Sequence, residues 1–404
     1  MASAPLLRAL NMDSGNYGSI HDFFNSLYGT DENAGLTAFP VLNIPMGGRS
    51  EGMAGAFSAV CDDISFIDWN PAGSAMLTKT ELALFHNNWI ADTKIESAVF
   101  ATRIKRVGLS ASAKWLYTPF TEYDGWGERA SKGYYSEAAG TLNFSYNFFP
   151  GYYYSGFSIG ASLKGFFRST PELAAYSQAS QSAGGFAADF GILTRVNLFK
   201  FYDSRDKNTS FALVFRNIGP PVLEEALPGV ATAGMSWKPV RPLLISFDAS
   251  MPVNIMDISL SEKPYFALGL SAMVTRFLSM RAGGMLKAGS ARVTVGSSIE
   301  IGATAIEVNY TLDLTTQVQP LNRVTVGVRL DLGDGGRAAA AKIVDSKYLA
   351  GLDAYSSGDD EKAMEFFNAA LEINPFFDPA LEGVAAIKRY RELQQRIKKM
   401  ESLE

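Results

Sequence analysis

The sequence has one cysteine, two histidines and no long apolar run, and each scarcity excludes a class of protein. Cys61 has no second thiol to pair with, which rules out an internal disulfide and a cysteine-rich metal cluster. His21 and His86 are far apart and show no metal-ligand spacing. No stretch approaches the roughly 20 apolar residues that a membrane-spanning helix needs.

Charge and motif content exclude further functions. The 404 residues include 36 basic and 41 acidic side chains, a net charge of −5, and no basic patch that would indicate nucleic-acid binding. Catalytic signatures such as G-x-S-x-G, H-E-x-x-H or a P-loop do not occur. We therefore predict a protein that is not an enzyme, has no metal or other cofactor and does not bind nucleic acid.

The chain does contain a long series of segments in which apolar and polar residues alternate. In the clearest one, residues 323–332, valine and leucine occupy one face, and arginine, threonine, glycine and aspartate occupy the other. A strand turns successive side chains to opposite faces, so this pattern is typical of a membrane barrel that is apolar outside and polar inside. About fourteen such strands of roughly ten residues are predicted: Glu81–Trp89, Ser97–Ile104, Val107–Tyr117, Thr141–Phe149, Phe157–Phe167, Phe186–Val196, Thr209–Asn217, Gly229–Trp237, Leu243–Met251, Tyr265–Ala272, Leu278–Lys287, Arg292–Ile301, Ala305–Leu314 and Arg323–Leu332.

The connections between these segments also favour an all-β transmembrane antiparallel barrel. Short turns alternate with long loops, as in bacterial outer-membrane barrels. The predicted long loops include Thr118–Tyr135, Ser169–Ala183 and Thr315–Asn322. The alternative is a soluble β-sandwich, which would bury the valine and leucine faces against each other. Long, numerous strands with both charge signs on the polar face favour the barrel.

A glycine- and alanine-rich stretch, GGRSEGMAGAFSAVCDDISFIDWNPAG, precedes the first strand at residues 47–73. Small residues allow tight turns and close packing against a neighbour. We predict a tight turn at residues 70–73, close to the first strand. We also predict that Asp62 and Asp63 pair with Arg49 or accept hydrogen bonds from turn amides. A compact segment before a large β structure suggests a plug inside a barrel.

This stretch resembles the N-terminal plug signature of the FadL-type outer-membrane barrels, G-x-R-x-x-G-M-G-G-A-F followed by D-D and N-P-A-G. The matching residues are Gly47, Arg49, Gly52, Met53, Gly55, Ala56, Phe57, Asp62, Asp63, Asn70, Pro71, Ala72 and Gly73. Ala54 and Phe66 depart from the pattern. The family includes transporters of long-chain fatty acids and hydrocarbons, the shuttle barrel of type IX secretion and a spirochaete branch. The resemblance implies a plug at residues 1–79 and a fourteen-strand barrel at residues 80–332.

The composition changes after the last predicted strand. Residues 333–336 are glycine-rich and predict a flexible linker, and residues 337–404 have a helical period. The spacing resembles one tetratricopeptide repeat at Gly351, Tyr355, Gly358, Ala363, Phe367, Ala370, Leu371 and Pro375. Such a stack needs about three repeats to bury its core. We therefore expect Tyr348, Leu352 and Tyr355 to form a face that docks on another surface. A periplasmic protein partner is favoured, and another copy of the chain or the underside of the barrel are the alternatives.

The polar face of the predicted strands carries both charge signs. The cations are Lys114, Lys164, Arg216, Arg281, Arg292, Arg323 and Arg329, and the acids are Asp248, Glu300, Glu307 and Asp313. These groups either form an internal salt-bridge ladder or include a site for a ligand. A guanidinium group binds a carboxylate with two parallel hydrogen bonds, which makes arginine the better candidate. The candidate ligand-binding residues are Arg281, Arg292, Arg323 and Arg329.

The resemblance implies passive uptake of hydrophobic molecules, such as long-chain fatty acids, by a barrel in contact with membrane lipid. An outer-membrane scaffold that binds partner proteins, like the type IX shuttle barrel, is the alternative. Counting strands from the first places both chain ends in the periplasm. The sequence begins without the charged and apolar regions of a secretion signal. If the barrel prediction holds, we therefore expect the sequence to be either a mature form or one whose first residue is misplaced.

Overall fold

The computed structural model describes residues 22–26, 28–90, 92–170, 182–288, 290–314 and 321–402. Within these residues, fourteen strands form a closed barrel in which each strand neighbours the next in sequence and β1 pairs with β14. The predicted number of strands is confirmed. The strands are β1 (Glu81–Asn88), β2 (Lys94–Ile104), β3 (Val107–Tyr123), β4 (Arg129–Phe148), β5 (Phe157–Ser169), β6 (Ala183–Val196), β7 (Thr209–Ile218), β8 (Gly229–Val240), β9 (Leu243–Val253), β10 (Tyr265–Met273), β11 (Leu278–Lys287), β12 (Ser290–Ile301), β13 (Thr304–Asp313) and β14 (Leu321–Asp331).

The two faces of the wall follow the alternation in the sequence. On β14 the side chains of Val324, Val326 and Val328 are about two-fifths exposed, whereas Arg323 and Thr325 are buried. The neighbouring strand has the same phase, because outward Leu84 pairs with Val328 in the ladder between β1 and β14. The valine and leucine residues therefore face outward, as predicted.

One predicted loop is wrong. Residues 118–135 do not form a long loop, because β3 continues to Tyr123 and β4 starts at Arg129, with Thr118 opposite Tyr135. The turn between them is short because the Asp124 side chain accepts hydrogen bonds from the Trp126 and Glu128 amides, both at 2.9 Å. The hairpin was not predicted because its mixed polar and aromatic residues obscure the alternation of apolar and polar side chains in the sequence. The predicted loops Ser169–Ala183 and Thr315–Asn322 lie largely outside the described residues.

Residues 38–77, called here the inner segment, lie inside the barrel. Strands from separate parts of the wall donate hydrogen bonds to its carbonyl groups: Asn143 of β4 to Pro71 at 2.9 Å, and Asn309 of β13 to Gly48 at 3.0 Å. Phe39 is among its fully buried side chains. The first 21 residues of the predicted plug lie outside the described residues.

A second compact unit consists of Phe148–Phe157 and the described residues from Gly333 onward. It contains the helices α1 (Arg337–Ser356), α2 (Asp360–Ile373) and α3 (Asp378–Glu401). The helices pack closely here, because a Cβ atom on Gly351 would lie 2.6 Å from the Phe367 ring. In the described part of the chain, no helix is both long and apolar enough to cross a membrane.

The segment predicted as a linker, residues 333–336, directly precedes α1 and contains the residue that caps this helix. The Asp334 carboxylate accepts hydrogen bonds from the amides of Gly336 at 2.9 Å and Ala338 at 2.7 Å. The Ala338 and Gly336 amides lower the pKa of Asp334, because they favour its charged form. Asp359 caps α2 in the same way, through the Lys362 amide at 3.1 Å. A hydrogen bond from the Lys362 side chain and this amide lower the pKa of Asp359.

Candidate functional site

The inner segment is packed into the wall by an apolar cluster. Its own members are Met46, Cys61, Ile64, Phe66, Ile67, Ala72, Met76 and Leu77. They meet inward-facing side chains of β1, β2 and β6, namely Ala83, Phe85, Val99, Ala101 and Leu193. Removing this much apolar surface from water is a strong driving force, at about 25 cal/mol per Å². The segment is therefore part of the folded core of the barrel.

Glycines on the inner face of the wall let the inner segment approach closely. At each of these positions a Cβ atom would overlap an atom of the segment: Gly108, Gly160, Gly191, Gly234, Gly269 and Gly283. The overlap at Gly191 is with the Asn70 side chain, and at Gly160 with the Pro71 carbonyl. This role was not predicted from the sequence. It could have been predicted from glycines at strand positions that the alternating pattern places on the inner face.

The acidic pair of the signature is bound as predicted. Arg49 contacts Asp62 at 2.7 Å and Asp63 at 3.2 Å. Asp63 also accepts a hydrogen bond from the Ser65 amide at 2.9 Å, which caps a short 3-10 helix. Lys238 of β8 lies 3.3 Å from Asp62, so the pair also connects the segment to the wall. The predicted pairing is therefore confirmed.

The residues predicted as a tight turn near the first strand have a different structure and location. Asn70 caps a 3-10 helix, Pro71–Met76, by accepting a hydrogen bond from the Ala72 amide at 2.9 Å. This helix lies against β3, β5 and β6, at the wall glycines Gly108, Gly160 and Gly191. The prediction failed because Asn-Pro starts a 3-10 helix as readily as a turn, and nothing in the local sequence specifies the neighbouring strand.

The other signature positions are set by close contacts. Gly55 has φ +82°, and a Cβ atom there would overlap the Trp69 ring. Phe57 is fully buried, and its amide donates to the Asp248 carboxylate at 3.1 Å. Gly47 and Gly52 lie against Thr325 and Asn309 of the wall. Gly73 lies against the Phe66 ring.

All four candidate arginines form ion pairs: Arg292 and Arg323 with Asp313, and Arg281 and Arg329 in a network around Glu307. Arg329 lies 2.7 Å from Glu81 and 3.4 Å from Glu307. Arg281 is buried, 4.0 Å from Glu307, and donates to the Ser298 hydroxyl at 2.5 Å. The salt-bridge ladder is thus present at these positions. Neither arginine lines the cavity described next.

The other two candidates, Arg292 and Arg323, line a cavity of about 410 Å³ between the inner segment and one end of the wall. Arg292 lies 2.8 Å from Asp313, and the Arg323 guanidinium carbon lies 3.8 Å from the centre of the Trp89 ring. We call this end of the barrel the upper rim, where β1 ends and β14 begins. Of the four candidate arginines, Arg292 and Arg323 therefore line the cavity, whereas Arg281 and Arg329 do not.

Further cavity residues were not identified as ligand residues from the sequence. Arg216 lies 4.9 Å from the Trp69 ring centre and donates to the Asp68 carbonyl at 2.8 Å. The rest of the lining is partly apolar and partly charged, and includes Ile44, Glu51, Val230, Glu262, Tyr265, Met285 and Lys287. These residues are far apart in the sequence, so their spacing carried no signal. Only folding brings them together.

Two buried guanidinium nitrogen atoms at this cavity have no protein partner among the described residues. They are Arg216 Nε and Arg323 Nε. A buried polar group without a hydrogen bond costs about 1–3 kcal/mol, so a bound molecule with a polar head would relieve this cost. The tryptophan rings offer apolar surface beside these groups. Within the described residues, no group of three or more His, Cys, Asp or Glu side chains could hold a metal ion.

The predicted partner face in the helical unit is partly buried at one residue. Tyr348 packs inside the unit, with its ring centre 5.7 Å from that of Phe367 and 5.4 Å from that of Phe377. A tyrosine on α1 meets these rings because α2 and α3 fold back beside it. Leu352 and Tyr355 remain about two-fifths exposed. A partner site at these two positions stays a prediction.

Fold and cavity define a closed fourteen-strand barrel whose lumen contains an N-terminal segment. A solved structure described as the CymD monoaromatic hydrocarbon channel has the same fold, with a TM-score of 0.52. The similarity covers 73% of this chain and 99% of that chain, at 13% sequence identity. At that identity the comparison establishes the fold alone.

The chain belongs to the uncharacterised protein family UPF0164, whose family model matches residues 26–335. One relative, a UPF0164 protein of Treponema pallidum (strain Nichols), is 27% identical over 385 residues, covering 91% of this chain and 86% of the relative. A second UPF0164 protein of the same organism is 24% identical over 392 residues, covering 88% and 76%. The match to the family model spans the inner segment and the whole wall.

Proposed function

We propose that this protein is an outer-membrane barrel that carries hydrophobic small molecules past an N-terminal plug. The cavity at the upper rim is the observation that supports this function most directly, because it combines tryptophan rings with buried arginines. The similar CymD structure is described as a hydrocarbon channel, which is consistent with an apolar cargo.

The outer face of the wall supports a membrane location. Its exposed side chains include Val324, Val326 and Val328 on β14 and Leu142 and Phe144 on β4. Trp115, Tyr117 and Tyr134 form an aromatic group near the upper rim, with ring centres 4.7 Å and 6.4 Å apart. An apolar band bordered by aromatic residues is typical of transmembrane barrels.

The inner segment acts as the plug in this proposal. Residues 1–79 would close the water-filled lumen, residues 80–332 would span the membrane, and residues 337–404 would form a tetratricopeptide-like module after the linker 333–336. Both chain ends would then lie in the periplasm. The apolar cluster and the wall glycines support a plug that is held tightly rather than loosely.

A long-chain fatty acid is the ligand that we propose for the cavity. Its carboxylate would meet Arg292 and Arg323, and the first part of its chain would contact Trp69 and Trp89. A guanidinium group suits a carboxylate because both are planar and form paired hydrogen bonds. A volume of about 410 Å³ is within the range of small-molecule sites.

Binding of oleate and of methyl oleate to the purified protein in a mild detergent tests this function. Charge-assisted hydrogen bonds contribute about 1.5–3 kcal/mol, so the double variant Arg292→Gln/Arg323→Gln should bind oleate roughly ten- to hundred-fold more weakly. Binding of the uncharged ester should change little. Arg276→Gln, at an exposed turn, is the matched control. Equal binding of oleate by the wild-type protein, the double variant and the control variant would refute the proposed ligand site.

A further inference from the structure

The last helix continues beyond the core of its own unit. The buried core of the helical unit ends at Ile387, but α3 extends to Glu401. We call residues 388–402 the α3 arm. Tyr390, Leu393, Ile397 and Met400 are between 49% and 63% exposed along it. Their spacing of three, four and three residues places them on one stripe of the helix.

Basic side chains border this stripe on both sides. The α3 arm has six basic and two acidic residues, a net charge of +4. At 100° per residue, Arg389 and Arg396 flank one edge of the stripe and Arg391 and Lys398 the other. Long basic side chains at the edge of an apolar stripe can place their methylene groups among lipid chains and their charges among head groups.

The beginning of α3 is fixed to the connection between two strands of the wall. The Asp378 carboxylate accepts hydrogen bonds from the Tyr152 amide at 2.7 Å and the Tyr153 amide at 3.3 Å. The Tyr153 hydroxyl donates to Glu382 at 3.2 Å. Residues 148–157 link β4 to β5 in the sequence, so the first turns of α3 are hydrogen-bonded to a segment that is continuous with the strands of the wall.

We propose that the α3 arm binds the surface of a membrane that contains anionic phospholipid. The basic border complements anionic head groups, and the apolar stripe fits the upper part of the acyl layer. A second copy of the arm would bring two basic helices together and is therefore disfavoured. The proposal rests on the membrane location given above but not on the ligand in the cavity.

A fluorescent probe on the arm tests the proposal in the full-length protein. Cys61 is buried, so Leu393→Cys can be labelled selectively with an environment-sensitive nitrobenzoxadiazole dye. The labelled protein is placed in nanodiscs of phosphatidylcholine alone or of equal parts phosphatidylcholine and phosphatidylglycerol. Gln395→Cys, on the opposite side of the helix, is the matched control.

We expect the dye at position 393 to shift to shorter wavelength only in discs with phosphatidylglycerol, and the shift to decrease as salt is added. The dye at position 395 should not shift. Replacing Arg389, Arg391, Arg396 and Lys398 with glutamine should weaken the interaction roughly hundred- to thousand-fold. Co-elution of protein and disc shows separately whether the barrel is inserted.

Three results would overturn the inference. The first is an unchanged spectrum at position 393 in inserted protein. The second is an equal shift in both lipid mixtures, because the basic border would then have no role. The third is a shift that appears only when two protein copies share a disc, because a second copy would then be the partner. If the variant with four glutamine substitutions does not fold, the salt titration still tests whether the basic border contributes to binding.

Discussion

Arg323 and Trp89 stack inside the upper rim, with the guanidinium carbon 3.8 Å from the ring centre. Arg323 begins the inward series of β14, and Trp89 directly follows β1, so the contact depends on the closure of the barrel. A cation over a tryptophan ring contributes up to about 2 kcal/mol when it is shielded from water. The stack therefore holds Arg323 in position at the cavity.

Replacing this tryptophan should weaken ligand binding. In Trp89→Ala the Arg323 side chain loses its support and the cavity loses apolar surface, so oleate binding should fall about three- to thirty-fold. Titration calorimetry of the detergent-solubilised protein measures this change. Trp126→Ala is the control, since Trp126 is 92% exposed at the tip of the hairpin between β3 and β4. Equal affinities of the two variants would show that the stack has no part in binding.

The depth of a charge on the outer face should determine its cost. In Val326→Arg the charge lies near the middle of the outward face of β14, and the variant should lose about 2–4 kcal/mol of unfolding free energy in liposomes. Asn322→Arg, on the same face but at the upper rim, should lose at most about 1 kcal/mol. Urea titrations followed by tryptophan fluorescence give both values. Similar losses at the two positions would contradict a membrane-embedded wall.

The wall glycines should hold the plug in place. Gly191→Val adds a branched side chain where the Asn70 side chain lies, so the inner segment must move, at a cost of about 1–3 kcal/mol. We expect single-channel conductance in planar bilayers to rise. Gly140→Val is the matched control, because its Cβ atom would have 3.9 Å to the nearest atom. Unchanged conductance in a folded Gly191→Val protein would count against the close fit.

Acid should loosen the first helix of the C-terminal unit. The folded-state pKa of Asp334 is lowered, so its cap stabilises α1 above the unfolded-state pKa. This stabilisation is lost as the pH falls through the folded-state pKa. Hydrogen exchange at residues 337–342, corrected for the intrinsic rate, should lose protection at acidic pH in the native protein. In Asp334→Ala the protection should be lower at neutral pH and less dependent on pH. Identical pH profiles would contradict the capping role.

The sequence predicted the wall well because a period of two is a local signal. Most strand boundaries agree within about three residues, whereas the hairpin at residues 118–135 was missed because its polar side chains hide the period. The bonds of Arg49 with Asp62 and Asp63 were predictable from a short signature. The cavity was not, because Glu51, Trp89 and Arg216 meet only when the barrel closes around the inner segment.

Native mass spectrometry of the protein purified from its own membrane tests the central claim most directly. A channel for hydrophobic molecules should retain a small amphipathic molecule at one copy per chain, and Arg292→Gln/Arg323→Gln should lose it while remaining folded. Chemical identification of the released molecule would then establish the cargo. A barrel without small molecules, recovered instead in a fixed ratio with another protein, would contradict the account and favour the scaffold.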